Sequence, residues 1–247
     1  MRIVCFAALL ALALPASSAS ARGLPATDHL TLGWSDCLEG GGLATAAFAC
    51  NTNSVDFLLV PAFTLAQAID SLVAIEGVID MVSQGDPLPS WWELQPGGCR
   101  DGSLVADMPP ADACLDPWGG NGVAALQAYR VSPETPATNR ARIVFTSSVL
   151  PAQRVALGAG TSYAAVRLIL HSSRTIGTSC SGCSSTACMV LNSITLKRVP
   201  GAAGPDQVVS EPSASTNWVH WLGVTGVDCA VVPVRNTTWG AIKSLYR

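Results

Sequence analysis

The sequence predicts an all-β protein, an antiparallel β-sandwich of jelly-roll kind stapled by disulfides. Three observations point there. Strand-length segments with period-two alternation or short apolar runs recur between Gly-, Pro- and Ser-rich turns. Helical periodicity is nearly absent. Cysteines remain in even number behind an export signal. The 247 residues include 22 Gly and 16 Pro, and they are 49% hydrophobic but only 13% charged, against about a quarter charged in an average domain. This balance excludes a disordered, collagen-like or coiled-coil chain. A formal charge of −3 gives no basic surface for a phosphate backbone, so no nucleic-acid partner is expected.

In chain order, the first segment reads as a signal peptide over residues 1–21. Arg2 supplies the positive start, Ile3 to Leu14 the apolar stretch, and Ala19-Ser20-Ala21 the small-x-small cleavage site. The apolar stretch is about 12 residues, short of the roughly 20 that cross a bilayer. The mature chain, residues 22–247, is expected to be exported as one domain with no membrane span. It would reside in the periplasm, on the cell surface or outside the cell.

One short helix is expected around Leu65, Ile69 and Leu72, spaced i, i+4 and i+7. Strands are expected at Val55–Phe63 and then where Val73, Ile75, Ile79 and Met81 alternate with Glu76 and Asp80, up to Gly85, Pro87 and Pro89. Further strands are Ser103–Met108, Ala124–Val131, Arg142–Ser147, Tyr163–His171, Met189–Val199 and Val227–Val234. Val190, Ile194 and Leu196 should share one face of the Met189 strand, and Ser193, Thr195 and Lys197 the other. About seven or eight strands without intervening helices imply a sandwich or jelly roll rather than βαβ units. Pro200–Pro212 reads as a linker, and the segment from Ser213 to Arg247 as packing back on the sandwich, tied by Cys229.

Of nine cysteines, Cys5 falls in the signal. Cys37, Cys50, Cys99, Cys114, Cys180, Cys183, Cys188 and Cys229 are left as a disulfide framework with 105 possible connectivities. Proximity suggests Cys37–Cys50 and Cys99–Cys114, each closing a loop of roughly 15 residues worth about 3 kcal/mol. The other four pair as Cys180–Cys183 with Cys188–Cys229, or as Cys180–Cys188 with Cys183–Cys229. A C-x-x-C pair also serves redox or zinc chemistry. Here, however, the Ser- and Gly-rich surroundings offer no helix N-terminus, and His171 and His220 have no ligand spacing. A structural disulfide loop is expected, with no metal and no cofactor.

No catalytic set is local. There is no Gly-x-Ser-x-Gly elbow, and His29, His171 and His220 stand apart, so no catalytic residue is assigned. Glu76 and Asp80, on one strand face, would be about 13 Å apart, which reads as a solvated sheet face. Asp107, Asp112 and Asp116 around Cys114 lack calcium-loop spacing and read as a polar loop. Seven tryptophans are the remaining handle. Trp91 and Trp92, if on a strand, point to opposite faces, leaving one as an outward platform for a sugar ring, whereas most of the tryptophans are expected to plug the ends of the sandwich as core.

Several segments carry a resemblance: Phe48-Ala-Cys-Asn-Thr-Asn53, Leu88-Pro-Ser-Trp-Trp92, Cys99-Arg-Asp-Gly-Ser-Leu104, Asn139-Arg-Ala-Arg142, the Cys180/Cys183/Cys188 cluster running into Val190-Leu-Asn-Ser-Ile194, and the ending from Val234 to Arg247. From about Leu32 onward the chain resembles a group of uncharacterised exported bacterial proteins with no assigned activity. The resemblance implies export and one compact domain, and it transfers no site residues. The strand layout is also similar, at fold level, to cohesin-like sandwiches, and fold alone does not establish function. The reading is an exported non-catalytic protein that binds a polysaccharide or another envelope protein, or serves as a structural component. The alternatives are a secreted hydrolase assembled in space and a subunit that self-assembles through an edge strand. Trp239–Arg247 is expected to dock on the body.

Overall fold

The computed structural model describes residues 27–109, 114–133, 137–210, 216–223 and Cys229. The expected signal peptide, the Val227–Val234 strand apart from Cys229, and the ending Trp239–Arg247 lie outside the described residues.

Alternation along the chain becomes two facing antiparallel sheets. The elements are β1 (His29–Trp34), β2 (Thr45–Ala46), β3 (Asp56–Thr64), β4 (Ile69–Ser83), β5 (Leu104–Asp107), β6 (Val123–Val131), β7 (Arg140–Ser148), β8 (Val155–Leu157), β9 (Ser162–Ala164), β10 (Arg167–His171), β11 (Ala187–Arg198), β12 (Gln207–Val209) and β13 (Trp218–Trp221). The smaller sheet runs β1-β3-β10-β5, with β9 also on β3. The larger runs β2-β13-β11-β4-β7-β6, with β12 on β11 and β8 on β4. The described ladders are antiparallel except β2–β13. Between the sheets lie Leu30, Leu32 and Trp34 of β1, Phe57 and Leu59 of β3, Ile75, Ile79 and Met81 of β4, and Leu168 and Leu170 of β10, all buried. Phe145 of β7 pairs in register with Gly77 of β4. A Cβ on Gly77 would lie 2.0 Å from the Phe145 ring, so the glycine is what lets that ring lie flat on the strand.

The expected helix at Leu65–Leu72 is not formed. Ile69 already belongs to β4, Ser71 takes a left-handed φ of 56°, and a ladder irregularity separates Ile69 from Leu72. The bulge produces a three-residue step between core-facing side chains that imitates helical spacing. A second register shift, between Leu191 and Ser193 of β11, corrects the expected face assignment. Asn192 is the extra residue there, so Met189 and Leu191 point into the core together with Ile194 and Leu196. Val190 points the other way, beside Val82 and Cys188. The expected Pro200–Pro212 linker contains β12, which pairs with Ile194–Leu196. Within the segment expected to fold back, β13 pairs with Ala187–Val190 of β11.

The disulfides join distant segments: Cys37–Cys114, Cys50–Cys183, Cys99–Cys180 and Cys188–Cys229. This corrects the expected Cys37–Cys50 and Cys99–Cys114 pairs, and with them Cys180–Cys183, Cys180–Cys188 and Cys183–Cys229; of the expected pairs only Cys188–Cys229 is formed. Cys37 sits with Cys114 on the outer side of β3, over Val60 and Ala62, whereas Cys50 reaches Cys183 at the aromatic end of the sandwich. The C-x-x-C pair therefore divides its bonds between two loops, tying both to the turn before β11.

Candidate functional site

Trp91 and Trp92 lie in a 3-10 turn, Ser90–Trp92, and are 0% and 1% exposed. This corrects the expectation of an outward platform. Pro87 and Pro89 end the strand before it reaches the pair, and the tight turn sends both rings into the end of the core. Their ring centroids lie 4.9 and 5.3 Å from that of Trp221. Trp34 and Trp118 are buried as well, and Trp218 is half-buried with its ring 4.9 Å from His220. Trp239 is outside the described residues.

A residue that sequence reasoning missed locks this end. Arg100, 1% exposed, places its guanidinium 3.6 Å over the Trp91 ring. Its Nε donates to Ser173 O and its Nη1 to Trp91 O, each at 2.9 Å, and its Nη2 to His171 O. Burial lowers its pKa to about 10, which leaves it a cation at neutral pH. Tyr129 donates to Trp92 O at 2.5 Å, and its burial pushes the phenol well above the ordinary range. With Cys99–Cys180 and Cys50–Cys183 alongside, these groups fix the loops at this end. The arrangement is a structural clamp, because the carbonyls that satisfy the cation are those of its own loops.

The outer face of the smaller sheet is different in kind. Leu58 of β3, Ile169 of β10 and Val105 of β5 are in register across three adjacent strands, and each is half-buried or exposed, Val105 at 37%. Two register positions to one side, on the same face, Asp56 pairs with His171, Oδ1 to Nδ1 at 2.6 Å. To the other side, Arg167 Nη2 donates to Asp107 Oδ2 at 2.6 Å. The Arg167 hydrogen bond, followed by that from the Met108 amide, holds the Asp107 carboxyl below its usual range. An apolar row thus lies between two polar pairs on the outer sheet face.

The outer face of the larger sheet is not the solvated one expected at Glu76 and Asp80. Asp80 is 5% exposed. Arg142 donates to it from Nε and Nη2 at 2.6 and 2.7 Å, and Asn192, the bulge residue, from Nδ2 at 2.7 Å. Glu76 meets Lys197 at 3.6 Å. The Asp80 cluster has the buried, hydrogen-bonded form that an internal charge requires. His171 meets Asp56, while the nearby Ser103 and Ser173 hydroxyls bond each other at 2.5 Å; among the described residues no serine hydroxyl bonds the His171 ring. Asp116 accepts from the amides of Trp118 and Gly120, closing a turn. Asp112 lies outside the described residues. Among the described residues no helix is long and apolar enough to cross a membrane.

No family model and no curated protein matches the chain. Among solved structures, it is similar to a chain of a type II cohesin–X-dockerin complex from Acetivibrio cellulolyticus, at 9% identity and a TM-score of 0.29, over 71% of this chain and 93% of that one. It is similar also to the second type II cohesin module of the cellulosomal adaptor ScaA scaffoldin of the same organism, at 9% identity and a TM-score of 0.26, over 70% and 88%.

Proposed function

We propose that the protein is an exported, disulfide-stapled binding module that performs no chemistry of its own and holds another envelope protein on the outer face of its smaller sheet. The observation that carries this reading is the Leu58–Ile169–Val105 row set between the Asp56–His171 and Arg167–Asp107 pairs. Protein interfaces have that anatomy, an apolar centre with a polar rim. Four disulfides fit an oxidising compartment. Protein is favoured over polysaccharide as the ligand because five of the tryptophans fill the core rather than offering a face to a sugar. The test is binding of labelled mature protein to whole cells of its source, pretreated with protease or with periodate. Protease is expected to abolish binding and periodate to spare it; the reverse pattern assigns the ligand to carbohydrate.

A second reading has its own support. β6, at the edge of the larger sheet, pairs with β7 and carries no charged residue from Val123 to Tyr129, with Val123, Ala125 and Gln127 exposed. It lacks the lysine or proline that guards natural edges, which favours a self-assembling subunit. Light scattering separates the two, since a binder that docks through the smaller sheet is a monomer.

A further inference from the structure

On the outer side of the larger sheet, Cys188 of β11 stands directly opposite His220 of β13 in the ladder. The Cys229 Sγ lies 3.2 Å from His220 Nε2, and one ligand atom from each of the three residues falls within 4.8 Å of the others. Cys188 and His220 are 0% and 5% exposed, and Cys229 is half-buried, so the cluster is reached from the Cys229 side. Among the described residues this is the disulfide with an imidazole nitrogen at one of its sulfurs. Two thiolates and an imidazole are zinc donors, and a tetrahedral Zn–S of about 2.3 Å with Zn–N of about 2.0 Å places sulfur and nitrogen about 3.5 Å apart, close to the spacing observed.

We propose that Cys188, His220 and Cys229 form a zinc site that the disulfide closes and an exported dithiol reductant opens. The reductant's thiolate attacks Cys229 Sγ, the Cys188–Cys229 bond breaks, and Cys188 leaves as a thiolate. The reductant's second thiolate then attacks its own sulfur in the mixed disulfide and releases the Cys229 thiolate. The reductant ends as an internal disulfide, the cysteine pair has gained two electrons, and the two thiol protons go to solvent. Zn²⁺ binds the two thiolates and His220 Nε2, with water at the fourth position. The other three disulfides join other segments and are not broken by this exchange.

The test uses the oxidised mature protein, opened anaerobically with limiting dithiothreitol. One portion is alkylated for peptide mapping. Another is given Zn²⁺, desalted and assayed for metal, and a third is given Co²⁺ for its thiolate-to-metal absorption band. The expected result is alkylation at Cys188 and Cys229, zinc retained in equal amount to opened chains and not by the oxidised protein, and a tetrahedral cobalt spectrum. His220→Ala should weaken zinc by more than the about 100-fold that loss of an outer-shell partner costs. Should that variant fail to fold, Cys229→Ser must abolish zinc binding instead. Opening of a different pair first, no zinc on chains opened at Cys188–Cys229, or undiminished zinc in either variant would overturn the proposal.

Discussion

Arg100 shows how much one buried side chain can hold. Its cation lies on Trp91 and satisfies the carbonyls of Trp91, His171 and Ser173. Replacing it by Met keeps the volume but leaves those carbonyls buried without a donor, at about 1–3 kcal/mol each. Arg100→Met is therefore expected to lose at least about 3 kcal/mol of unfolding free energy, measured by urea denaturation. Nothing in the sequence announces this. An arginine between a cysteine and an aspartate defaults to solvent, and its acceptors at 171 and 173 are distant in the chain. The fate of Trp91 and Trp92 was closer to legible, because Pro87 and Pro89 already argue against a strand at that point. At the surface, Asp107 makes a pH prediction. Its carboxyl is held below the usual range by Arg167, so its stabilisation is fully present above the unfolded value of about 3.9 and disappears as pH falls through the lower folded value. The difference in Tm between wild type and Asp107→Asn should be small, constant from pH 5 to pH 7 and gone in strong acid. A difference that grows on acidification would contradict it.

At the scale of elements, β7 was readable from its alternation and β3 from its apolar run, and β6 was readable in extent despite a register shift between Leu126 and Ala128. The expected Tyr163–His171 strand is divided instead into β9 and β10, with Ala165 and Val166 between them. β11 was readable in extent but not in phase, because the residues from Ala187 to Leu191 are apolar on both faces and hide the bulge at Asn192. β1 carries period two at Leu30, Leu32 and Trp34 and was not singled out. β13 has aromatic residues at both ends and a histidine between, a pattern whose meaning emerges only against β11. Packing between elements yields a sharper test at Gly77, where the Phe145 ring occupies the space of a side chain. Gly77→Val is expected to destabilise by about 1–3 kcal/mol through overpacking, although valine has the better strand propensity. A stabilised Gly77→Val, scored by Tm, would mean that Phe145 does not lie on this strand.

For the whole molecule, the expected export signal, strand-rich composition and an even cysteine set led to the sandwich, but connectivity did not follow from spacing. The pairs span 77, 133, 81 and 41 residues, since folding, not proximity in sequence, brings the sulfurs together. Chain entropy then ranks them. Removing Cys50–Cys183 should cost about 1 kcal/mol more than removing Cys188–Cys229, because its loop is the longer; paired Cys→Ser variants compared by urea denaturation check the order. The proposed binding face was illegible for a related reason. Leu58, Val105 and Ile169 come from three separate segments, and each alone reads as an ordinary strand residue. Only register makes them a row. The most direct test is the affinity of Ile169→Asp for the cell envelope, beside wild type and a Val123→Lys control at the β6 edge. We expect Ile169→Asp to keep the wild-type Tm and to bind at least about 30-fold more weakly, the effect of losing a central interface residue worth about 2 kcal/mol, while Val123→Lys binds as wild type. Wild-type affinity in Ile169→Asp would contradict a docking role for the smaller sheet.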